Sequence, residues 1–246
     1  MSNKIGKEFL YYTQYENMDT NVDQKKGKEQ PPLELEYDKS STYIDLPKPD
    51  SFDFSDLSLR EAIETRRSLR KYSNKSLTLE ELSWLLWGTQ GVKEVSKAYT
   101  LRTVPSAGAR HAFETLLLIN NVDGLEPGIY RYLAINHRLT KLNTDKDIGE
   151  KLKSAALNQS MITTSNVTFI WIADTYRMTY RYGERGYRFL FLDAGHVCQN
   201  LYLIAEGINA GVCAIGAYED TKVNQLLDLD GENLFVIYMA TVGKKE

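Results

Sequence analysis

Cysteine is scarce in this chain. Cys198 and Cys213 are its two cysteines, both in apolar surroundings and without CxxC spacing, which leaves no disulfide framework and no thiol-redox motif. They read as buried free thiols. The three histidines, His111, His137 and His196, show no HExxH-like spacing with carboxylates, so no metal site is expected. Charge of one sign is missing as well: 30 Lys plus Arg stand against 33 Asp plus Glu, a net charge of -3 that offers no general attraction to nucleic acid or to an anionic membrane. Any anion must therefore be held locally. No apolar run is long enough to span a bilayer, and the opening MSNKIGKEF lacks the apolar core of a secretory signal, so a cytoplasmic protein is expected. Neither a dinucleotide glycine pattern nor a Walker A loop occurs, and a nucleotide would have to bind in another way.

What is present suits one large domain: 246 residues, 42% of them hydrophobic, can bury a full core. Four of the six prolines, Pro31, Pro32, Pro47 and Pro49, fall in a polar stretch of little periodicity after FLYYTQY. Residues 1–56 are therefore expected to form an extended arm led by one short helix, and residues 57–246 the folded domain. Two capping boxes follow. Ser58-Leu59-Arg60-Glu61 opens a helix with Leu59, Ala62 and Ile63 on its inward face; Thr78-Leu79-Glu80-Glu81 opens another with Leu82, Leu85 and Leu86 inward and Gly88 placed to end it. Strands are expected at 115–122, at 128–142 with a turn around Asn136, and at 166–174, 211–218 and 235–243. Helices are expected at 146–157, 180–206 and 220–227. The long one spreads Phe189, Leu192, Val197, Leu201 and Ile204 around more than one face and carries small Ala194 and Gly195, a pattern that a subunit interface would bury.

Three segments could carry chemistry, each with a plainer alternative. Arg66 continues the apolar stripe of the first helix, and Arg67, Ser68 and Arg70 add two cations and a hydroxyl within a turn, a set suited to a phosphate dianion or, alternatively, to pairing with surface carboxylates. Pro105-Ser106-Ala107-Gly108 is a small-residue loop that lets a ligand approach backbone N–H groups, or else a turn. Cys213-Ala214-Ile215-Gly216-Ala217-Tyr218 could let a flat ring lie on the main chain, or could mark a β-bulge.

The order of REAIETRRSLRKY, LTLEELSWLLWGTQG, TVPSAGARH, RYGERGYRFLFLDAGHVCQNLYL and GVCAIGAYED, from about Leu57 to Lys244, resembles the nitroreductase family. Its branch is similar to the azoline-oxidising dehydrogenases of peptide-toxin biosynthesis, the streptolysin-S type. The resemblance implies an α+β fold, a mixed, largely antiparallel sheet flanked by helices, and a homodimer with FMN at the interface. It implies that Arg66, Arg67, Ser68 and Arg70 hold the FMN phosphate and ribityl or the ring edge, and that Pro105, Ser106, Ala107 and Gly108 pass beside the isoalloxazine. Ile215, Gly216 and Ala217 would lie against its other parts, Gln159 would reach it from the second subunit, and Lys244 would complete the phosphate site. Tyr182 and Arg181 fall where the family places substrate-side residues. The implied chemistry is hydride transfer between NAD(P)H, or another donor, and an electron-poor small-molecule acceptor, nitroaromatic or quinone-like. Two alternatives stand beside it: an FMN-dependent azoline dehydrogenase acting on a modified peptide, and a flavin-binding scaffold subunit without turnover. One departure bears on the first. Azoline oxidases carry Lys-Tyr where this chain has Arg181-Tyr182, and an arginine stays protonated and cannot act as a general base.

Overall fold

Five runs of β-branched and aromatic residues alternate large apolar side chains to both faces, and they become the strands of one sheet covered on both sides. The structure is a computed structural model that describes residues 4–51, 57–143 and 145–246. Its elements in chain order are α1 (Lys4–Tyr12), β1 (Tyr43–Asp45), α2 (Leu59–Thr65), α3 (Leu79–Gln90), β2 (Val92–Val95), β3 (Thr100–Arg102), β4 (Phe113–Ile119), β5 (Gly128–Leu133), β6 (Arg138–Asn143), α4 (Ile148–Ala155), α5 (Met161–Thr164), β7 (Val167–Asp174), α6 (Thr175–Tyr182), α7 (Gly186–Glu206), β8 (Ala210–Ile215), α8 (Asp220–Leu226) and β9 (Leu234–Lys244).

Seven strands form the main sheet in the order β1-β6-β5-β4-β7-β9-β8, each neighbouring pair antiparallel, and β2 and β3 make a separate hairpin. A parallel bridge from Ser68 to Val212 continues the sheet beyond β8, which gives it its mixed character and ties the Arg66–Arg70 stretch to an edge. Alternation along β4 sets the layers. Leu117 and Ile119 join the core under α3 and α7, whereas Leu116 and Leu118 join the one under α4 and α8. The α+β architecture expected from the sequence, a mixed, largely antiparallel sheet flanked by helices, is thus present.

The arm is not detached from this body. Its β1 pairs with β6, the Leu35 N–H donates to Glu114, Gln24 N–H donates to the Tyr180 carbonyl, and Arg131 donates to the carbonyls of Leu35 and Glu36. The expected boundary at 56/57 adjoins residues 52–56, outside the described residues. Among the described residues no helix is long and apolar enough to cross a membrane.

Four sequence expectations need correction. At α2 the Ser58 hydroxyl accepts from the Glu61 N–H as expected, but Leu59 and Ile63 are 68% and 56% exposed and Ala62 alone is buried. A seven-residue helix lying across α7 presents one narrow face to the body. Gly88 does not end α3, which runs to Gln90 with Gly91 as its cap; a Cβ at Gly88 would collide with Ile204, so the glycine is there for close helix packing. The expected 180–206 helix is broken: Gly183, at φ +53, ends α6, and a short 3-10 turn leads into α7. The strand expected at 211–218 stops at Ile215.

Candidate functional site

Two groups of expected residues gather at different points along α7. The first is built on Tyr202. Its hydroxyl lies 3.0 Å from the Ser68 Oγ and accepts the Ala214 N–H at 2.9 Å, and the Arg66 guanidinium sits 5.3 Å from its ring centroid. The Leu69 N–H donates to the Val212 carbonyl, so the segment after α2 is fixed to β8 by its backbone while its side chains stay free to act. Arg70 lies near enough to Cys213 to pull that thiol down against the burial that pushes it up. Among the described residues none of Arg66, Arg67 and Arg70 forms an ion pair, although neighbouring cations do: Lys245 reaches Glu206, and Lys244 reaches Glu81. Among the described residues the arginines thus have no carboxylate as partner. Three guanidiniums without a counter-charge among the described residues, on one short segment with the Ser68 hydroxyl, form a set that an oxyanion would complete.

The second group is built on Asp193, nine residues and about 14 Å earlier on α7. Its buried carboxylate accepts the Ala107 N–H at 3.2 Å and the Ser106 hydroxyl, and burial raises its pKa against those two bonds. Ser106 Oγ also accepts the His111 N–H at 2.9 Å, so the loop is held from both sides. Gly108 is left-handed, φ +58, and a Cβ there would collide with the Tyr182 hydroxyl and come within 3.1 Å of the Arg181 Nε. Tyr182 packs edge-on against Phe189 at 4.7 Å, and the Arg181 guanidinium lies 5.5 Å from its ring centroid. Tyr182 and Arg181 therefore stand directly on the Pro105–Gly108 loop. A cleft of about 420 Å³ lined by Thr103, Pro105, Ser106 and His111 opens beside it.

The remaining expected residues are placed as follows. Ile215 is buried at the end of β8, while Gly216 and Ala217 are exposed, and the Ala217 carbonyl accepts Gln159 Nε2 at 2.8 Å. Gln159 thus lies on the small-residue turn of its own chain. Lys244 donates to Glu81 at 2.5 Å and to the Ile208 carbonyl at 2.6 Å, and its side chain is 15% exposed. It already has a counter-charge, which an added anion would have to replace. The neighbouring Lys245 points the other way, to Glu206, whose carboxylate also accepts the Thr65 hydroxyl next to Arg66. Burial pushes the Cys198 thiol up to about 12, in keeping with an inert buried thiol. Among the described residues no cluster of His, Cys, Asp and Glu that could hold a metal occurs.

Sequence reasoning missed Tyr202 and Asp193, which organise the two groups. Asp193 had a readable signal, a lone carboxylate inside the apolar run FLFLDAGHV. Tyr202 had none, since LYLIA is what any buried helix shows.

Comparison with known proteins matches residues 63–244 to the Nitroreductase family. A Methanocaldococcus jannaschii protein named as a candidate nitroreductase is 33% identical over 193 residues, 78% of this chain and 94% of its own. The trifolitoxin operon protein TfxC of Rhizobium leguminosarum bv. trifolii is 28% identical over 225 residues; the match covers 86% of this chain and 62% of TfxC. Among solved structures, a chain of the Escherichia coli microcin synthetase McbBCD complex, with truncated pro-MccB17 bound, superposes with a TM-score of 0.64 at 18% identity, covering 99% of this chain and 92% of that one. At that identity the likeness is one of fold.

Proposed function

That the chain belongs to the nitroreductase family is the premise from which we propose an FMN-dependent oxidoreductase, a homodimer that passes hydride between NAD(P)H, or another donor, and an electron-poor acceptor of the nitroaromatic or quinone class. The observation that carries this reading is the run of Arg66, Arg67 and Arg70 on the segment that also carries the Ser68 hydroxyl, with no carboxylate to neutralise them among the described residues. The donors fit a phosphate dianion, which accepts several charge-assisted hydrogen bonds at once. No companion pattern for an adenylate accompanies them, which favours FMN over FAD. When bound, the flavin would supply a carrier for the two electrons of a hydride.

The chain's own residues do the rest. Tyr202 pre-orients Ser68 and Arg66 for the phosphate, and Lys244 adds a cation if it exchanges Glu81 for the anion. The backbone of Pro105, Ser106, Ala107 and Gly108, held by Asp193, borders the flavin ring, and Ile215, Gly216 and Ala217 with Gln159 border its other parts. Tyr182 donates a hydrogen bond or a proton to the acceptor, and Arg181 stabilises negative charge developing on it. Leu59, Ile63, Phe191 and Leu192, each more than half exposed on α2 and α7, supply an apolar surface suited to a second copy.

The likeness to TfxC favours a second reading, oxidation of an azoline in a modified peptide. Arg181 argues against it, because a protonated guanidinium cannot remove the ring proton. Anaerobic mixing of the purified holoprotein with NADPH tests the proposal: the flavin is expected to bleach and to recover its colour on adding a nitroaromatic or quinone, and the cofactor released on denaturation to be FMN. A flavin that stays oxidised is the result for a peptide-specific dehydrogenase or a scaffold; FAD, or no flavin after incubation with excess FMN, overturns the reading.

A further inference from the structure

Four arginines line the stretch from α6 into α7, and three of them are spoken for. Arg177 is buried against Glu114 and Asp174, Arg185 donates to the Thr13 carbonyl, and Arg188 donates to Thr13 and to the Leu10 carbonyl. Arg181 alone of the four has no hydrogen bond and no ion pair among the described residues; the Tyr182 ring and Gly108 are what it lies against. A second guanidinium reaches the same glycine. Arg110 is 5% exposed and donates from Nε to the Gly108 carbonyl at 3.4 Å and from Nη2 to the Ala98 carbonyl at 2.7 Å, with no ion pair among the described residues. Asp193, the nearest carboxylate of the loop, is occupied by Ala107 and Ser106.

Two like charges that meet at one glycine, one of them taken out of water, are costly unless an anion joins them. The cost registers on Arg110, whose pKa is drawn down first by burial and next by Arg181. Buried Arg131 and Arg177, by contrast, each reach Glu114 directly.

We propose that Arg110 and Arg181 form a clamp for an anionic group, a carboxylate or a phosphate, carried by the molecule that meets the Pro105–Gly108 loop and Tyr182. The proposal rests on reading that loop as the substrate side of a flavin site, and it narrows the substrate class to one with a negative charge a few bonds from the reacting centre. The anion belongs either to the electron acceptor or to the pyridine-nucleotide donor. Because only one member of each substrate pair carries the anion, the clamp is read as an anionic-to-neutral ratio of KM, which a role of Arg181 toward the reacting acceptor, common to both members, leaves unchanged.

Anaerobic stopped-flow measurements on the holoprotein test this in two arms. The donor arm compares NADPH with the uncharged, phosphate-free 1-benzyl-1,4-dihydronicotinamide, and the acceptor arm compares 4-nitrobenzoate with 4-nitrobenzamide. In one arm, Arg181→Gln is expected to raise KM for the anionic member by about tenfold relative to the neutral one, the effect of losing one charge-assisted contact. Arg181→Lys, which keeps the charge, restores part of the preference, and Arg110→Gln moves the ratio in the same direction, with its melting curve recorded alongside. The arm that responds identifies the source of the anion. If the neutral donor still reduces the flavin and Arg181→Gln leaves the anionic-to-neutral ratio unchanged in both arms, the clamp is refuted and the flavin reading stands. A protein that retains no flavin refutes both.

Discussion

Replacing Arg66 by alanine separates the two roles that its position allows. Its guanidinium forms no ion pair among the described residues and lies 5.3 Å from the Tyr202 ring centroid. Losing that contact costs about 0.5–1 kcal/mol, a fall of roughly 2–4 °C or less in melting temperature for a domain of this size. Toward a phosphate dianion the loss is larger, because a hydrogen bond to a charged group contributes about 1.5–3 kcal/mol. At about 1.4 kcal/mol per tenfold in affinity, Arg66→Ala should weaken FMN binding by roughly ten- to a hundredfold. Fluorescence titration of the stripped protein with FMN reads the affinity, and a melting curve of the same sample reads the fold. Arg66→Lys, which keeps the charge but loses the planar fork, should fall between. Unchanged FMN affinity with a melting temperature lowered by many degrees would refute the reasoning and make Arg66 a structural residue.

Tyr182→Phe removes a hydroxyl at the Gly108 loop and keeps the ring on Phe189; turnover with a nitroaromatic or quinone should drop on the order of a hundredfold with FMN retained, and unaltered turnover would leave Tyr182 a packing residue. Tyr202→Phe deletes the partner of the Ser68 Oγ and the Ala214 N–H while leaving the ring under Arg66, so a destabilisation of about 1–3 kcal/mol should accompany a loss of FMN affinity smaller than that of Arg66→Ala, both read from denaturant melts and titration. Burial holds the His111 pKa down at about 3, so between the unfolded value near 6.5 and that level the unfolded chain alone binds the proton. Stability should therefore fall with pH across that window by up to about 1.4 kcal/mol per unit. His111→Asn, tolerant of the φ of +43 there, should flatten the slope, and an unchanged slope in acid-titrated melts would assign it to other groups. Sedimentation should give about twice the chain mass, and a monomer that still holds FMN would contradict the proposed dimer.

The sheet was legible because β4, β7 and β9 are apolar on both faces, a pattern few other structures produce. The capping box at Thr78 was legible because its two bonds are local, and both form. Short elements were not: β1 is three residues long and exists because Tyr43–Asp45 meets β6 some ninety-five residues away, a pairing that leaves no local trace. The exposed Leu59 and Ile63 misled the reading of α2, since a face that a second copy would cover has the same spacing as one that the chain's own core covers. At the site, the arginines and the small-residue loop were visible by type. Tyr202 and Asp193, which bring them to one helix, emerge from contacts more than eighty residues apart in sequence.

The measurement closest to the central claim compares the affinity of the stripped protein for FMN and for riboflavin, which differ by the phosphate alone. With three guanidiniums that have no ion pair among the described residues, and the Ser68 hydroxyl on the same segment, the phosphate should strengthen binding by roughly a hundredfold or more, as two or more charge-assisted contacts imply, and Arg66→Ala should shrink that difference. Riboflavin binding as tightly as FMN would contradict the account, for the cluster from Arg66 to Arg70 would then hold no phosphate.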